Sequence, residues 1–268
     1  MAVDTSWTFA PGLIVALAGY GALYGRRWAN VRRDDGARAA GVGRLVLFAG
    51  ALLMTAVALI SPVDRIGEQL AWMHMVQHLL IADIVPILLI CSFTRTLLRP
   101  VTRRVHRIER AAGPFAHPAF GVVAYVGAMW TWHVPALYDA ALEHTVIHVL
   151  EHLTFAAAGF LYWWHLLSPI RSRFRLGGTG PIMYMASTKI LVGIVGIVLA
   201  FSPDLLFDAY GTTGERWGLD PLADQHVAGV LMALEQSIVM GIALAWLFVR
   251  MLAEADREDE RAERYEPA

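Results

Sequence analysis

GRLVLFAGALLMTAVALIS, residues 43–61, carries one arginine near its start and no other charge. A bilayer core of roughly 30 Å takes about 20 apolar residues in helical form, so this stretch reads as a membrane span. Six further runs read the same way, at about 9 to 25, 70 to 93, 118 to 133, 146 to 168, 181 to 202 and 226 to 250. The composition agrees, with 57% hydrophobic against 17% charged residues in a chain of 268. The expected fold is all-α: a polytopic membrane bundle of seven transmembrane helices. It forms one domain over 1–268, with a short charged tail at about 252–268. The runs leave no room for a soluble domain, and 26 to 42, 94 to 117 and 203 to 225 are read as connecting loops.

A net charge of −1 excludes no partner; the placement of Lys and Arg carries the information. Arg26, Arg27, Arg32, Arg33, Arg38 and Arg44 flank the first connection, and Arg95, Arg99, Arg103, Arg104, Arg107 and Arg110 the third. Arg171, Arg173 and Arg175 mark the fifth, and Arg250, Arg257, Arg261 and Arg264 follow the last run. The alternate connections hold only Arg65 and Arg216 among many acidic residues. Nineteen basic residues thus fall on one side and two on the other, which puts the N-terminus outside and the C-terminus in the cytoplasm. Asp4 precedes the first apolar run and arginines follow it, the reverse of a cleaved leader, so that helix is expected to stay. Trp7, Trp72, Trp130, Trp132 and Trp217 would anchor the outer boundary, and Trp28, Trp163, Trp164 and Trp246 the inner one. The single cysteine, Cys91, excludes an intramolecular disulfide and any CxxC motif. EADREDERAER, at 254–264, alternates sign as a solvated helix would.

Chemistry then resides in polar residues that lipid would reject. Seven of the ten histidines fall at the expected outer face: His74, His78, His133, His144, His148, His152 and His226. In WMHMVQH (72–78), His74 and His78 share a helix face, with Met73 and Met75 beside them. In WHVPALYDAALEHTVIHVLEHLTF (132–155), His144, His148 and His152 form an i, i+4, i+8 stripe. Glu151 stands close to that face, and His133 and Asp139 precede it. DQHVAG (224–229) adds Asp224 and His226, as a helix cap or as a third wall of the same site. Imidazoles stacked on a membrane helix are costly to bury alone. A bound metal satisfies them, and a hydrated cleft or an oligomer contact is the alternative. Imidazole suits zinc, copper, nickel and iron, while the methionines tilt the choice to copper. Deeper lie Asp83 and Lys189, read as an ion pair with a proton or ion relay as the alternative, and Glu235 beside Gln236.

HMVQHLLIADIVPILL, WHVPALYDAALEHTVIHVLEHLTFAAAGFLYWW and DQHVAG together resemble the CtaG family of caa3-type cytochrome c oxidase assembly factors. The resemblance implies a non-enzymatic bacterial protein of the cytoplasmic membrane that holds copper at the outer face while oxidase centres mature. His74, His78, His133, His144, His148 and His152 would be its ligands, with Met73, Met75, Asp139, Glu151, Asp224, His226 and Glu235 auxiliary. Its partners would be oxidase subunits and a copper-donor chaperone, with no nucleic acid. The chain departs from the family pattern at Pro86, single where a pair is common, at His165 after Trp163-Trp164, and in LMALEQS after DQHVAG. Two other chemistries fit the same histidines. A seven-helix zinc hydrolase would use Glu151 or Asp139 as base, and a haem b cytochrome would use a pair such as His78 and His148.

Overall fold

The computed structural model describes residues 3–170, 172–174, 176–211 and 217–265, with some side chains of the last helix left out. Arg171, Arg175, Glu215 and Arg216 lie outside the described residues, as do the side chains of Gln236, Arg250, Arg257, Arg261 and Arg264. Among the described residues every regular element is helical.

α1 (Pro11–Asp35) and α2 (Val42–Leu59) are followed by the short α3 (Pro62–Gly67). α4 (Ala71–Leu79) passes through a π-helical turn (Leu80–Ile84) into α5 (Val85–Ser92), making one long segment. α6 (Arg95–Ala112) precedes α7 (Pro118–Trp132), α8 (Pro135–Glu143) and α9 (Thr145–Leu167). α10 (Gly180–Phe201) and the long α11 (Pro221–Tyr265) close the chain. α2, the α4–α5 segment, α9 and α10 are each long and apolar enough to cross a membrane.

Polarity is turned outside in, as a lipid solvent requires. On α9, Val146, Val149, Leu150 and Leu153 are exposed, while Glu151, Phe155 and Tyr162 on the opposite stripe are buried. α10 likewise exposes Ile190, Ile194, Ile197 and Phe201 and buries Thr188, Val192, Val195 and Leu199. In water these exposed faces would be a large unburied apolar surface; in hydrocarbon they match the solvent.

Three expected loops contain helix. α1 continues to Asp35 and carries Arg26, Arg27, Arg32 and Arg33 on its last turns, since nothing between 26 and 35 breaks a helix. The span 94–117 forms α6, because the Thr94 side chain accepts a hydrogen bond from Leu97 N as an N-cap and arginines are good helix formers. Residues 221–225, assigned to the last connection, already belong to α11. That helix runs through the mixed-charge tail to Tyr265, as the sign alternation implied. At 1.5 Å per residue its 45 residues extend about 68 Å, roughly twice a bilayer core.

Close approach of α9 to the π turn sets the middle of the bundle. Gly159 lies against the backbone of Ala82, where any Cβ would collide with the Ala82 carbonyl. Asp83 lies within this turn and is buried. There its two carboxylate oxygens accept hydrogen bonds from Tyr125 Oη at 2.7 Å and Trp163 Nε1 at 2.7 Å. Two sequence expectations are corrected here. Trp163 is fully buried and is not an interfacial anchor. Asp83 forms no ion pair with Lys189 among the described residues, because its lone pairs are directed at Tyr125 and Trp163 and Lys189 sits at the half-buried margin of α10.

Candidate metal centre

α4 and α9 face each other with one histidine ladder apiece. His74 and His78 stand one turn apart on α4, with ring centroids 4.1 Å apart; His148 and His152 do the same on α9 at 4.2 Å. Across the gap His74 lies 5.6 Å from His148, and His78 lies 5.8 Å from His152. Glu151 projects between the ladders. Its Oε1 is 3.6 Å from His74 Nε2 and 3.4 Å from His78 Nε2. His74 and Glu151 are 0% exposed and His78 3%.

These groups lack ordinary partners. Both ring nitrogens of His74 and of His78, both oxygens of Glu151, and Nε2 of His148 and of His152 are buried without a hydrogen-bond partner. Leaving a buried polar atom unsatisfied costs about 1–3 kcal/mol, more if it is charged. So many at one point call for a cation, either a metal or protons shared between imidazole and carboxylate. Two overlapping triads suit a metal: His74, His148 and Glu151, and His78, Glu151 and His152. In each, one donor atom per residue lies within 4.8 Å of the others. Two ligands about 2.0–2.1 Å from one ion at a tetrahedral angle are about 3.3–3.4 Å apart. The Glu151 to His78 separation, 3.4 Å, is already at that value.

Surrounding polar contacts fix the ladders. Asp224 caps α4, accepting from Ala71 N at 2.7 Å and Trp72 N at 3.1 Å, so two free amides of the first turn that holds His74 are satisfied. Leu70, at the N-cap, has no side chain able to do this. Gln77 donates to Ala58 O and to Asp64 Oδ1, both at 2.8 Å. Tyr138, its ring 5.1 Å from that of His74, shares a 3.3 Å hydroxyl contact with Tyr210, which donates to Gly67 O at 2.8 Å.

The structure therefore brings together His74, His78, His148, His152 and Glu151, with His133 at their edge, its ring 6.4 Å from that of His78. His144 is the exposed N-cap residue of α9 with extended backbone, so the i, i+4 stripe ends before it. His133, half-buried at the end of α7, points to Met75 and not to Glu151. Met75 is buried and Met73 half-buried. Asp139 accepts from Ala209 N at 3.2 Å, and His226 Nε2 lies 2.9 Å from Ser202 O, so both tie loops together. Asp224 binds free amides as a cap does, but those of α4. Glu235 lines a cavity with His78 and His133. Sequence reasoning gave Glu151 an auxiliary place, although its position between His148 and His152 was the available signal. It missed Tyr210 and Gln77, whose partners are distant in sequence.

An uncharacterized protein of Mycobacterium leprae (strain TN) is 22% identical over 82% of this chain and 35% of its own length. An uncharacterized protein of Mycobacterium bovis is 24% identical over 97% of this chain and 42% of its own. The chain thus spans less than half the length of these curated relatives. No solved structure matches. The family model described as cytochrome c oxidase caa3 assembly factor (Caa3_CtaG) matches residues 22–254, which include both histidine ladders and Glu151, and the chain belongs to that family.

Proposed function

We propose that the chain captures copper at the outer face of a bacterial cytoplasmic membrane and hands it to cytochrome c oxidase subunits as their copper centres mature. The observation that carries the reading is the convergence of four imidazoles and one carboxylate, all with buried atoms lacking hydrogen-bond partners. Copper is cargo here. His74, His78, His148, His152 and Glu151 bind it, and the half-buried His148 and His152 are the side from which a partner takes it. Overlapping triads that share Glu151 suit transfer, since an ion shifts from one set to the other by exchanging ligands one at a time. No nucleophile or electron-sink group is needed, so the role is non-catalytic. A donor chaperone loads the site.

The seven-span topology with N-terminus outside belongs to this proposal. α1, α2, α4–α5, α7, α9, α10 and α11 are the spans. The arginine-bearing α6 and the charged end of α11 lie on the cytoplasmic side, opposite the histidine ladders. Labelling of cysteines introduced at Arg65 and Arg107 by an impermeant reagent, in a Cys91→Ser background, checks it: Arg65→Cys reacts from outside and Arg107→Cys does not.

The functional test pairs metal analysis of the purified protein with oxidase assembly in a deletion strain. Wild type restores oxidase activity and retains copper; His78→Ala and His148→Ala do neither. Full copper binding and full rescue by both variants would refute the site. Retention of zinc with amidase or esterase activity that Glu151→Gln abolishes would favour a hydrolase instead.

A further inference from the structure

A second group of metal-binding atoms meets beside His78, among residues of α4, the end of α7 and α11. His133 Nδ1 lies 2.7 Å from Met129 O, which can only accept. The proton of the neutral ring is therefore on Nδ1, and Nε2 presents a lone pair. That lone pair points at Met75 Sδ, 3.5 Å away, which has no proton to give. Two electron-pair donors thus face each other beside a cavity of about 20 Å³, room for one ion or water. Met129 and Met232 line the same cavity, with His78, Asp83 and Glu235.

The spacing is that of two ligands on one ion. An imidazole nitrogen about 2.0 Å and a sulfur about 2.3 Å from a common metal, at a tetrahedral angle, are separated by about 3.5 Å. Thioethers bind soft ions, and among biological cations of this size Cu(I) is the one they select. Three methionines around one small cavity set it apart from the His74–Glu151 cluster, which contains no sulfur. The carboxylates of Asp83 and Glu235 offset the charge of a monovalent ion.

We infer that this cavity is a second ion position, specific for Cu(I), held by His133 Nε2 and the Met75 sulfur and completed by Met129 and Met232. It rests on the copper reading and adds to it a division of labour. The imidazole and carboxylate cluster takes borderline ions such as Zn(II) or Cu(II) as well as Cu(I), while the thioether position takes Cu(I) alone. His78 borders both and is the ligand through which an ion passes between them.

The test uses the full chain in detergent under anaerobic conditions, titrated with Cu(I) against a chromophoric chelator and separately with Zn(II). X-ray absorption of the Cu(I)-loaded protein is recorded alongside. Wild type is expected to bind two Cu(I) and one Zn(II), with a copper–sulfur shell. Met75→Leu, a volume-conserving change, is expected to lose one Cu(I) and most of that shell while keeping Zn(II). Glu151→Gln is expected to lose Zn(II) and keep the sulfur signal. Should Met75→Leu also lose Zn(II), the wild-type absorption spectrum decides alone. A Cu(I) spectrum without sulfur, or unchanged Cu(I) stoichiometry in a Met75→Leu protein that still binds Zn(II), overturns the inference and leaves the imidazole site standing. A copper–sulfur signal with no metal at the imidazole cluster has the converse meaning: it supports the inference and removes the copper-capture site.

Discussion

Replacing Glu151 by Gln keeps the shape of the side chain and removes its charge, which gives opposite signs with and without metal. The Glu151 carboxylate is 0% exposed and neither oxygen has a hydrogen-bond partner within the protein. The effective penalty for burying an uncompensated ion is several kcal/mol, so the metal-free Gln variant should be at least as stable as wild type. With metal the order reverses. At a free concentration of 100 times Kd, binding stabilises the folded state by about 2.7 kcal/mol. Glu151 belongs to both candidate triads, so its loss removes a ligand from either. A 100-fold weaker site at the same concentration gives only about 0.4 kcal/mol. Metal-induced stabilisation therefore falls to about a sixth of the wild-type value. Thermal unfolding in detergent, with and without Cu or Zn, measures both quantities. A variant that is less stable without metal yet gains as much from metal as wild type does would refute the reasoning. Glu151 would then be a structural partner of the His74 and His78 rings.

The other histidines and the packing make separable predictions. His144→Ala leaves metal affinity unchanged within error, since His144 is exposed outside both ladders, whereas His148→Ala lowers it at least tenfold; isothermal titration compares them. Asp224→Ala uncaps α4 and costs about 1 kcal/mol, within the 0.5–2 range for lost caps. It also weakens metal binding through His74, measured by denaturant unfolding and metal competition. Trp163→Phe leaves one oxygen of buried Asp83 without its donor and costs about 1.5–3 kcal/mol; Asp83→Asn in that background recovers part of it. Gly159→Ala drives a methyl into Ala82 O, so the folded yield in membranes drops below that of Gly127→Ala, where the added Cβ meets open space.

Much of this was legible because lipid imposes a simple code. Apolar runs announced the helices, and the four-residue spacing of His74 with His78 and of His148 with His152 announced the two ladders. The code weakens where a polar residue has a distant partner. Asp83 could be recognised as costly, but its acceptance from Tyr125 and Trp163 depends on α7 and α9 and on the π turn, which no periodicity reveals. The same limit explains α6: its arginines satisfied the topology rule equally well as loop or helix, and only the Thr94 cap distinguishes them. His144 failed because a stripe drawn at i, i+4, i+8 assumes helix throughout, and the helix begins one residue later.

Asp224 fastens α4 from about 150 positions further along the chain. A ribosome delivers residues in order, so α4 and α9 are both made before the carboxylate that completes the first of them exists. Until α11 emerges, the amides of Ala71 and Trp72 have no cap and the His74 ladder has no fixed orientation. The facing arrangement of His74 and His78 with His148 and His152 is thereby completed only once the last helix is in place.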